Sequence, residues 1–343
     1  MRSKLLASKL LVAARHRNCI IPCRRIASVP ENGNFVNEFL RNETICFEFN
    51  GMKFRLPSVI QDTQPNGSPI GTVITIHGAP GSHKDFKYVG PILQKKNIRF
   101  IGVNMPGYGF TEGDVRLTQD NMERVSYVQA LCKHLNLDKN LVFMGHSRGT
   151  ENTLKMAALT QDKTVGIVQA NFLGARVHRG IRPTWFLTGV NYLWDLRWPR
   201  IFLRPLLYIV YNHIINIKIK SVDEAAWALS SMRAEKLELP TQVDFVKKLN
   251  ESNVKSLLLY SGKDPLMEPE ICTEFAALFR GNKHFEFDKK TTDSEVRKTI
   301  CNEISSGTQS IAVYLKDDGH FIQKHRAELM ADAAESMLKQ SQQ

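Results

Sequence analysis

What most constrains the fold of this chain is a short run near its middle, Leu141-Val142-Phe143-Met144-Gly145-His146-Ser147-Arg148-Gly149-Thr150. Its apolar start predicts a buried strand, and the Gly-His-Ser-Arg-Gly turn follows without a break. Glu151 to Leu159 then predicts a helix, with Leu154, Ala157 and Ala158 at helical spacing. A strand that reverses into a helix through Gly-x-Ser-x-Gly needs room where the two segments pass. Gly145 and Gly149 supply that room while Ser147 takes a strained turn conformation. The serine hydroxyl is thereby lifted above the sheet edge, with the next backbone N–H beside it.

A turn of this kind needs neighbouring strands, and the sequence supplies them in alternation with helices. Thr44 to Phe49 and Met52 to Leu56 flank Asn50-Gly51, a pair suited to a type I′ turn, so a β-hairpin is expected. A polar loop is expected over 61–69. The β-branched run 71–76 predicts a strand buried on both faces. A helix over 84–96, a strand over 98–103 and a helix over 118–135 opened by Thr118 follow, before the run at 141. Further strands are expected at 165–170, 255–260 and 311–315, with helices near 269–280, 293–304 and 322–338. Between 174 and 253 the alternation lapses. That interval holds all four tryptophans and an apolar run, 201–217, which Arg204, Pro205, Asn212 and His213 interrupt, so no membrane span is predicted there. Alternating strands and helices imply an α/β fold with a mainly parallel, doubly wound sheet. The expected organisation is a core of residues 31–173 and 254–343, with 174–253 as a mostly helical cap.

Charge bears on partners and destination. The formal net charge of +12 is concentrated at the start, where residues 1–30 hold seven Lys or Arg and no acid. Without them, 39 basic residues face 34 acidic ones, an ordinary surface. Nothing then points to nucleic acid. An Arg-rich, acid-free start containing leucine and serine predicts a mitochondrial transit peptide, with a disordered arm on a cytoplasmic protein as the alternative. Cys19, Cys23, Cys46, Cys132, Cys272 and Cys301 show neither metal-ligand nor disulfide-framework spacing.

A serine hydroxyl is a poor nucleophile at neutral pH and requires a base and a group that orients the base. In an open α/β sheet such groups belong at the carboxyl ends of strands. Asp264, in Ser261-Gly262-Lys263-Asp264-Pro265, follows the strand at 255–260. His320, in Asp317-Asp318-Gly319-His320, follows the strand at 311–315. Asp317, Asp318 and Glu268 compete with Asp264 for the orienting role.

Together with His77-Gly78-Ala79-Pro80-Gly81 and Pro106-Gly107-Tyr108-Gly109, these motifs make the chain resemble an α/β-hydrolase-fold serine hydrolase over roughly residues 45–340. The resemblance implies Ser147 as nucleophile, His320 as base and Asp264 as its orienter. It also implies an oxyanion hole from the backbone N–H groups of Ala79 and Arg148; Pro80 has no N–H to offer. Carboxylic esters or thioesters with an apolar acyl group are the expected substrates, and no metal or organic cofactor is called for. The alternative is a non-catalytic binding or scaffold protein on the same fold. Where relatives commonly carry aspartate this chain has Asn104, which is expected to affect loop structure, and Thr150 in place of a smaller residue predicts looser packing at the turn. His77 is expected to brace the neighbouring loop and His146 to make a structural hydrogen bond. For Arg148 an anionic substrate group and an ion pair with Glu151 are both open. Trp185, Tyr192, Trp194 and Trp198 are candidates for an apolar acyl pocket, and the aromatic and basic cap is a candidate for peripheral contact with lipid.

Overall fold

A computed structural model describes residues 35–214, 219 and 221–342. The transit-peptide expectation over residues 1–30 lies outside them. A nine-stranded sheet organises the chain, in the spatial order β1 (Leu40–Phe49), β2 (Met52–Asp62), β4 (Arg99–Val103), β3 (Thr72–Ile76), β5 (Leu141–His146), β6 (Thr164–Ala170), β7 (Lys255–Ser261), β9 (Ser310–Leu315) and β8 (Asn282–Phe287). It opens with the expected hairpin, β1 (Leu40–Phe49) against β2 (Met52–Asp62), closed by Asn50 and Gly51 at φ of 49° and 75°. Positive φ at both central residues is what a type I′ turn demands. The alternating pattern Ile45, Phe47 and Phe54, Leu56 puts one face of the hairpin in the core, where Phe47 stacks on Phe54 at 4.8 Å. β2 runs longer than its hydrophobic pattern suggests, because it turns to pair antiparallel with β4 (Arg99–Val103).

From there the sheet is parallel: β3 (Thr72–Ile76), β5 (Leu141–His146), β6 (Thr164–Ala170), β7 (Lys255–Ser261) and β9 (Ser310–Leu315). β3, β4 and β5 are buried at every position, as unbroken apolar runs in such a sheet must be. Helices cover both faces. Asn121–His134, Gly149–Leu159, Gln242–Asn250 and Pro269–Ala276 bury Val125, Leu131, Leu154, Met156 and Phe275 on one side. Val89–Lys95, Asp293–Ser305 and Ala327–Gln340 bury Leu93, Ile300 and Met330 on the other.

Three departures have local causes. β8 (Asn282–Phe287) was not expected. It is an edge strand, and its Lys283, His284 and Glu286 suit a solvent-facing rim rather than a buried run. The expected helix at 84–96 divides into a 3-10 turn, His83–Phe86, capped by Ser82 and Asp85, and the helix Val89–Lys95. The helix expected from Thr118 starts at Asn121, because Thr118 instead hydrogen-bonds Asp120 and Glu123 through its hydroxyl, at 2.8 and 2.9 Å.

Between β6 and β7 the chain leaves the sheet for the helices Thr184–Asp195, Arg197–Ile209, Val222–Ser231 and Ala234–Leu237. Gln242–Asn250 then packs on Gly149–Leu159 and carries the chain back to β7 as an ordinary crossover helix. No helix among the described residues is long and apolar enough to cross a membrane.

Candidate functional site

β5 delivers its chain to Ser147, which sits at φ 50° and is 8 % exposed. For a residue with a side chain this left-handed conformation costs on the order of 1–3 kcal/mol, so its surroundings must hold it. They do so at close quarters. A Cβ on Gly149 would lie 2.1 Å from the Ile76 carbonyl oxygen, and one on Gly145 would lie 2.8 Å from Thr150 Cα. The Ser147 N–H donates to the Ala170 carbonyl at 3.0 Å. Thr150 does not loosen the turn as expected. Its hydroxyl donates to the Ser147 carbonyl at 2.7 Å and accepts from Leu173 N–H at 3.2 Å, tying helix, turn and β6 together.

Asp264 and His320 meet beside this turn. His320 Nδ1 lies 2.8 Å from Asp264 Oδ2, while Asp264 Oδ1 accepts from the backbone N–H groups of Leu266 and Met267 at 2.8 and 3.2 Å. That pattern assigns the imidazole proton to Nδ1 and leaves the Nε2 lone pair free of Asp264. Burial pulls the Asp264 carboxyl upward, but the His320 hydrogen bond and charge and the two N–H donors outweigh it and hold it below the usual carboxylate range. For His320 burial wins over the raising effect of Asp264, so its pKa falls below the ordinary imidazole value. The competing carboxylates are committed elsewhere: Asp317 pairs with Lys263 at 2.7 Å, Asp318 with Arg326 at 2.8 Å, and Glu268 accepts from Arg179 N–H at 2.8 Å. Among the described residues no hydrogen bond joins the Ser147 hydroxyl to the imidazole; in unliganded sites such contacts are often long and tighten with substrate.

The loop carrying His320 is sewn to the turn by groups that the sequence reading missed. Asn171, at the carboxyl end of β6, donates from Nδ2 to the carbonyls of His320 and Gly319 at 2.7 and 3.1 Å. Ser261 Oγ lies 2.9 Å from Asn171 Oδ1 and 2.7 Å from the Gly319 carbonyl. His146 Nε2 donates to the His320 carbonyl at 2.9 Å, the structural bond expected of it. Position at a strand's carboxyl end was the available signal for Asn171, the same one that marked Asp264.

On the other side runs the loop His77–Gly81. His77 donates from Nδ1 to the Gly78 carbonyl at 2.6 Å and accepts at Nε2 from Met105 N–H at 3.1 Å. Burial pushes its pKa down to about 4, which keeps it neutral and able to do both. Gly78 passes so near the serine that a Cβ there would lie 3.3 Å from Ser147 Cβ. Gly78 N–H is taken by Asp85 Oδ2 at 3.3 Å, whereas the N–H groups of Ala79 and Arg148 donate to no protein group among the described residues. Asn104 shapes the adjoining loop, accepting from His83 N–H at 3.0 Å and donating to the Val59 carbonyl at 2.8 Å.

Arg148 points away from the crevice. Wholly buried, it donates through Nε to the Ser231 carbonyl at 3.0 Å and lies 3.3 Å from Glu151 through Nη1, so the ion pair is the alternative the structure contains. Lys155, also buried, reaches Glu238 at 3.0 Å. Both residues bind the helix after the turn to the cap. Burial pushes the Glu151 carboxyl up to about 7 against the opposing charges of Arg148, Lys155 and Arg124.

The aromatic pocket is corrected. Trp185, Tyr192 and Trp198 lie on the outer sides of their helices, 73 %, 66 % and 75 % exposed, and enclose nothing. Trp194 alone of the four turns inward, against the core cluster. Trp227 is the tryptophan beside the crevice loops, packed on Gly107 and Gly113. Among the described residues no group of three or more His, Cys, Asp or Glu side chains could hold a metal ion.

With this geometry in place, comparison with known proteins is informative. The family described as "Alpha/beta hydrolase of unknown function (DUF1057)" matches residues 40–339. An uncharacterized protein of Caenorhabditis elegans is 29% identical over 288 residues, which cover 80% of each chain. Among solved structures, a thermophilic esterase from Thermogutta terrifontis superposes with a TM-score of 0.59 at 17% identity, over 87% of this chain and 98% of that one. The haloalkane dehalogenase DatA from Agrobacterium tumefaciens gives 0.60 at 14% identity, over 90% and 100%. At such identities the likeness is one of fold.

Proposed function

This chain belongs to the α/β-hydrolase family matched over residues 40–339, and on that premise we propose that it is a serine hydrolase of carboxylic esters or thioesters with an apolar acyl group. One observation carries the reading: the 2.8 Å bond from His320 Nδ1 to Asp264, at a strand end beside Ser147, which leaves Nε2 as the free base. Serine at position 147, rather than aspartate, favours acyl transfer over attack on an epoxide or an alkyl halide.

In this mechanism Ser147 Oγ attacks the acyl carbonyl carbon as His320 Nε2 takes its proton. Asp264, held ionised, stabilises the imidazolium and keeps the ring in place. The negative charge that develops on the carbonyl oxygen is met by the Ala79 and Arg148 N–H groups, which have no competing acceptor; a donor of this kind contributes roughly 3–4 kcal/mol. Collapse of the tetrahedral intermediate expels the alcohol or thiol, which receives the proton from His320 Nε2. Water, deprotonated by the same nitrogen, then attacks the acyl-enzyme and regenerates Ser147 with release of the acid.

The test is labelling by a fluorophosphonate probe alongside hydrolysis of acyl esters of graded chain length. Wild-type protein is expected to label and to turn over, and Ser147→Ala to do neither. Labelling undiminished in Ser147→Ala overturns the assignment, and a folded wild-type chain that neither labels nor hydrolyses any ester supports the scaffold alternative.

A further inference from the structure

Helix Arg197–Ile209 buries Leu207 on its inner side, yet it is apolar on its outer side as well. Trp198, Phe202, Pro205 and Ile209 recur at spacings of four, three and four, so they form a single stripe, and that stripe faces away from the protein. Trp198 and Phe202 are each 75 % exposed. Arg200 on the same helix folds inward, whereas Arg204 lies at the edge of the stripe and is exposed. Arg200 donates to the Trp194 carbonyl at 2.8 Å with its guanidinium 5.4 Å from the Trp194 ring, and Arg204 lies 6.0 Å from that ring and 3.2 Å from Asp223. A soluble helix normally buries its apolar stripe and wets its charges.

The preceding helix, Thr184–Asp195, continues the surface. Trp185 and Tyr192 project outward on one side, with Leu196 just beyond the helix end, while Leu187, Val190 and Trp194 pack against the core cluster from the other. Exposed apolar patches of this extent mark a contact with something else. Its chemistry is set by charge. Residues 176–220 contain eight Lys or Arg and a single acid, Asp195. Arg176, Arg182 and Arg204 pair with Glu274, Glu268 and Asp223, and with those pairs counted the segment still carries a basic excess. Tryptophan and tyrosine in a row, flanked by arginines, suit the boundary between lipid headgroups and acyl chains.

We propose that the outer face of these two helices is a docking surface for an anionic lipid bilayer. The aromatic stripe enters the headgroup boundary, and the segment's basic excess, with the exposed Arg204 at the edge of the stripe, is attracted to anionic lipid. The contact is peripheral, because neither helix can span the hydrocarbon. The inference goes beyond the hydrolase reading and does not depend on it, since binding requires no turnover.

The experiment is co-sedimentation of the full chain with vesicles of phosphatidylcholine containing phosphatidylserine, compared with phosphatidylcholine alone. Ser147→Ala is measured in parallel, so that failure of the catalytic assignment is distinguishable from failure of this one. Binding is expected to favour the anionic vesicles and to weaken as salt is added. Tryptophan emission should shift to the blue on binding. Trp198→Gln combined with Phe202→Gln should weaken binding at least about tenfold, since each side chain removes a large apolar area from water. A thermal melt matching that of wild type shows that this variant is folded. Absence of sedimentation with either vesicle at low salt overturns the proposal, as does equal binding to both. A concentration-dependent dimer that the same substitutions dissolve, with no vesicle binding, also overturns it and assigns the surface to a second copy of the chain.

Discussion

The turn at Ser147 and the outer face of helices Thr184–Asp195 and Arg197–Ile209 treat polar and apolar groups in opposite ways. Around the turn, the buried groups that hold the His320 loop and the His77 loop are paired: Asp264 accepts from His320 and two backbone N–H groups, Asn171 spans two carbonyls, and His77 satisfies both ring nitrogens, while His146 Nδ1, Arg148 Nη2 and Glu151 Oε1 make no hydrogen bond among the described residues. On the cap, large apolar rings stand in water while Arg200 is folded inward against Trp194. Leaving a buried polar group unpaired costs about 1–3 kcal/mol, so the turn has to be completed within the chain. Exposed apolar surface carries no such local penalty in the folded state, and its energetic return comes only when something covers it. One region is largely finished by its own residues, and on the docking proposal the other is finished by its surroundings.

Substitutions that break this contrast should do so in a graded order. Ser147→Ala should lower kcat toward an acyl ester by about 10⁶-fold while leaving the melt unchanged, since a strained but tightly held turn remains; ester kinetics check this. Asp264→Asn should cost about 10⁴-fold by presenting the wrong imidazole tautomer, and a residual rate near that of wild type would remove Asp264 from the mechanism. Arg148→Met takes away a buried cation that faces Glu151 and the Ser231 carbonyl. Breaking this buried pair, with Lys155 and Arg124 left to oppose Glu151, should destabilise the protein by up to about 3–5 kcal/mol, read in urea unfolding, and a neutral result would separate cap docking from stability.

Acidity sharpens the same point. The folded pKa of Glu151 stands at about 7, well above the ordinary value of about 4.3. Between those values the native state retains a proton that the unfolded chain releases. The stability contributed by this group is therefore present at low pH and is lost as pH rises through the interval. Glu151→Gln should flatten that fall, and thermal melts of the two proteins across the interval check it. The smallest effect belongs to the cap: Trp198→Gln with Phe202→Gln should change unfolding free energy by no more than about 0.5 kcal/mol per site, because both rings are 75 % exposed. A large loss would show that the stripe is packed within the protein.

Much of the site was legible because its geometry is local. Gly145 and Gly149 are required by atoms within a few residues or on the next strand, and Asn50-Gly51 by the turn that it makes. Asp264 and His320 were placed by the rule that loops after parallel strands share one edge. Less could be read where a residue's role is defined by a distant partner. Its place at a strand's carboxyl end marks Asn171 but does not reveal that its amide holds the His320 loop, and nothing near Asp85 announces that its carboxylate takes the Gly78 N–H. β8 was hidden because a rim strand needs no continuous apolar run.

By itself the sequence determined the hairpin and the buried parallel strands, the strained serine and the sheet edge at which Ser147, Asp264 and His320 gather, since backbone sterics and hydrophobic periodicity act over a few residues. Only the tertiary structure decided which carboxylate meets His320, that Arg148 serves the cap instead of a substrate, and that Trp185, Tyr192 and Trp198 face outward. A helix that is apolar around much of its circumference does not specify which face will be covered. Packing against segments far away in the chain makes that choice, because the free energy of burial depends on the neighbour as much as on the residue.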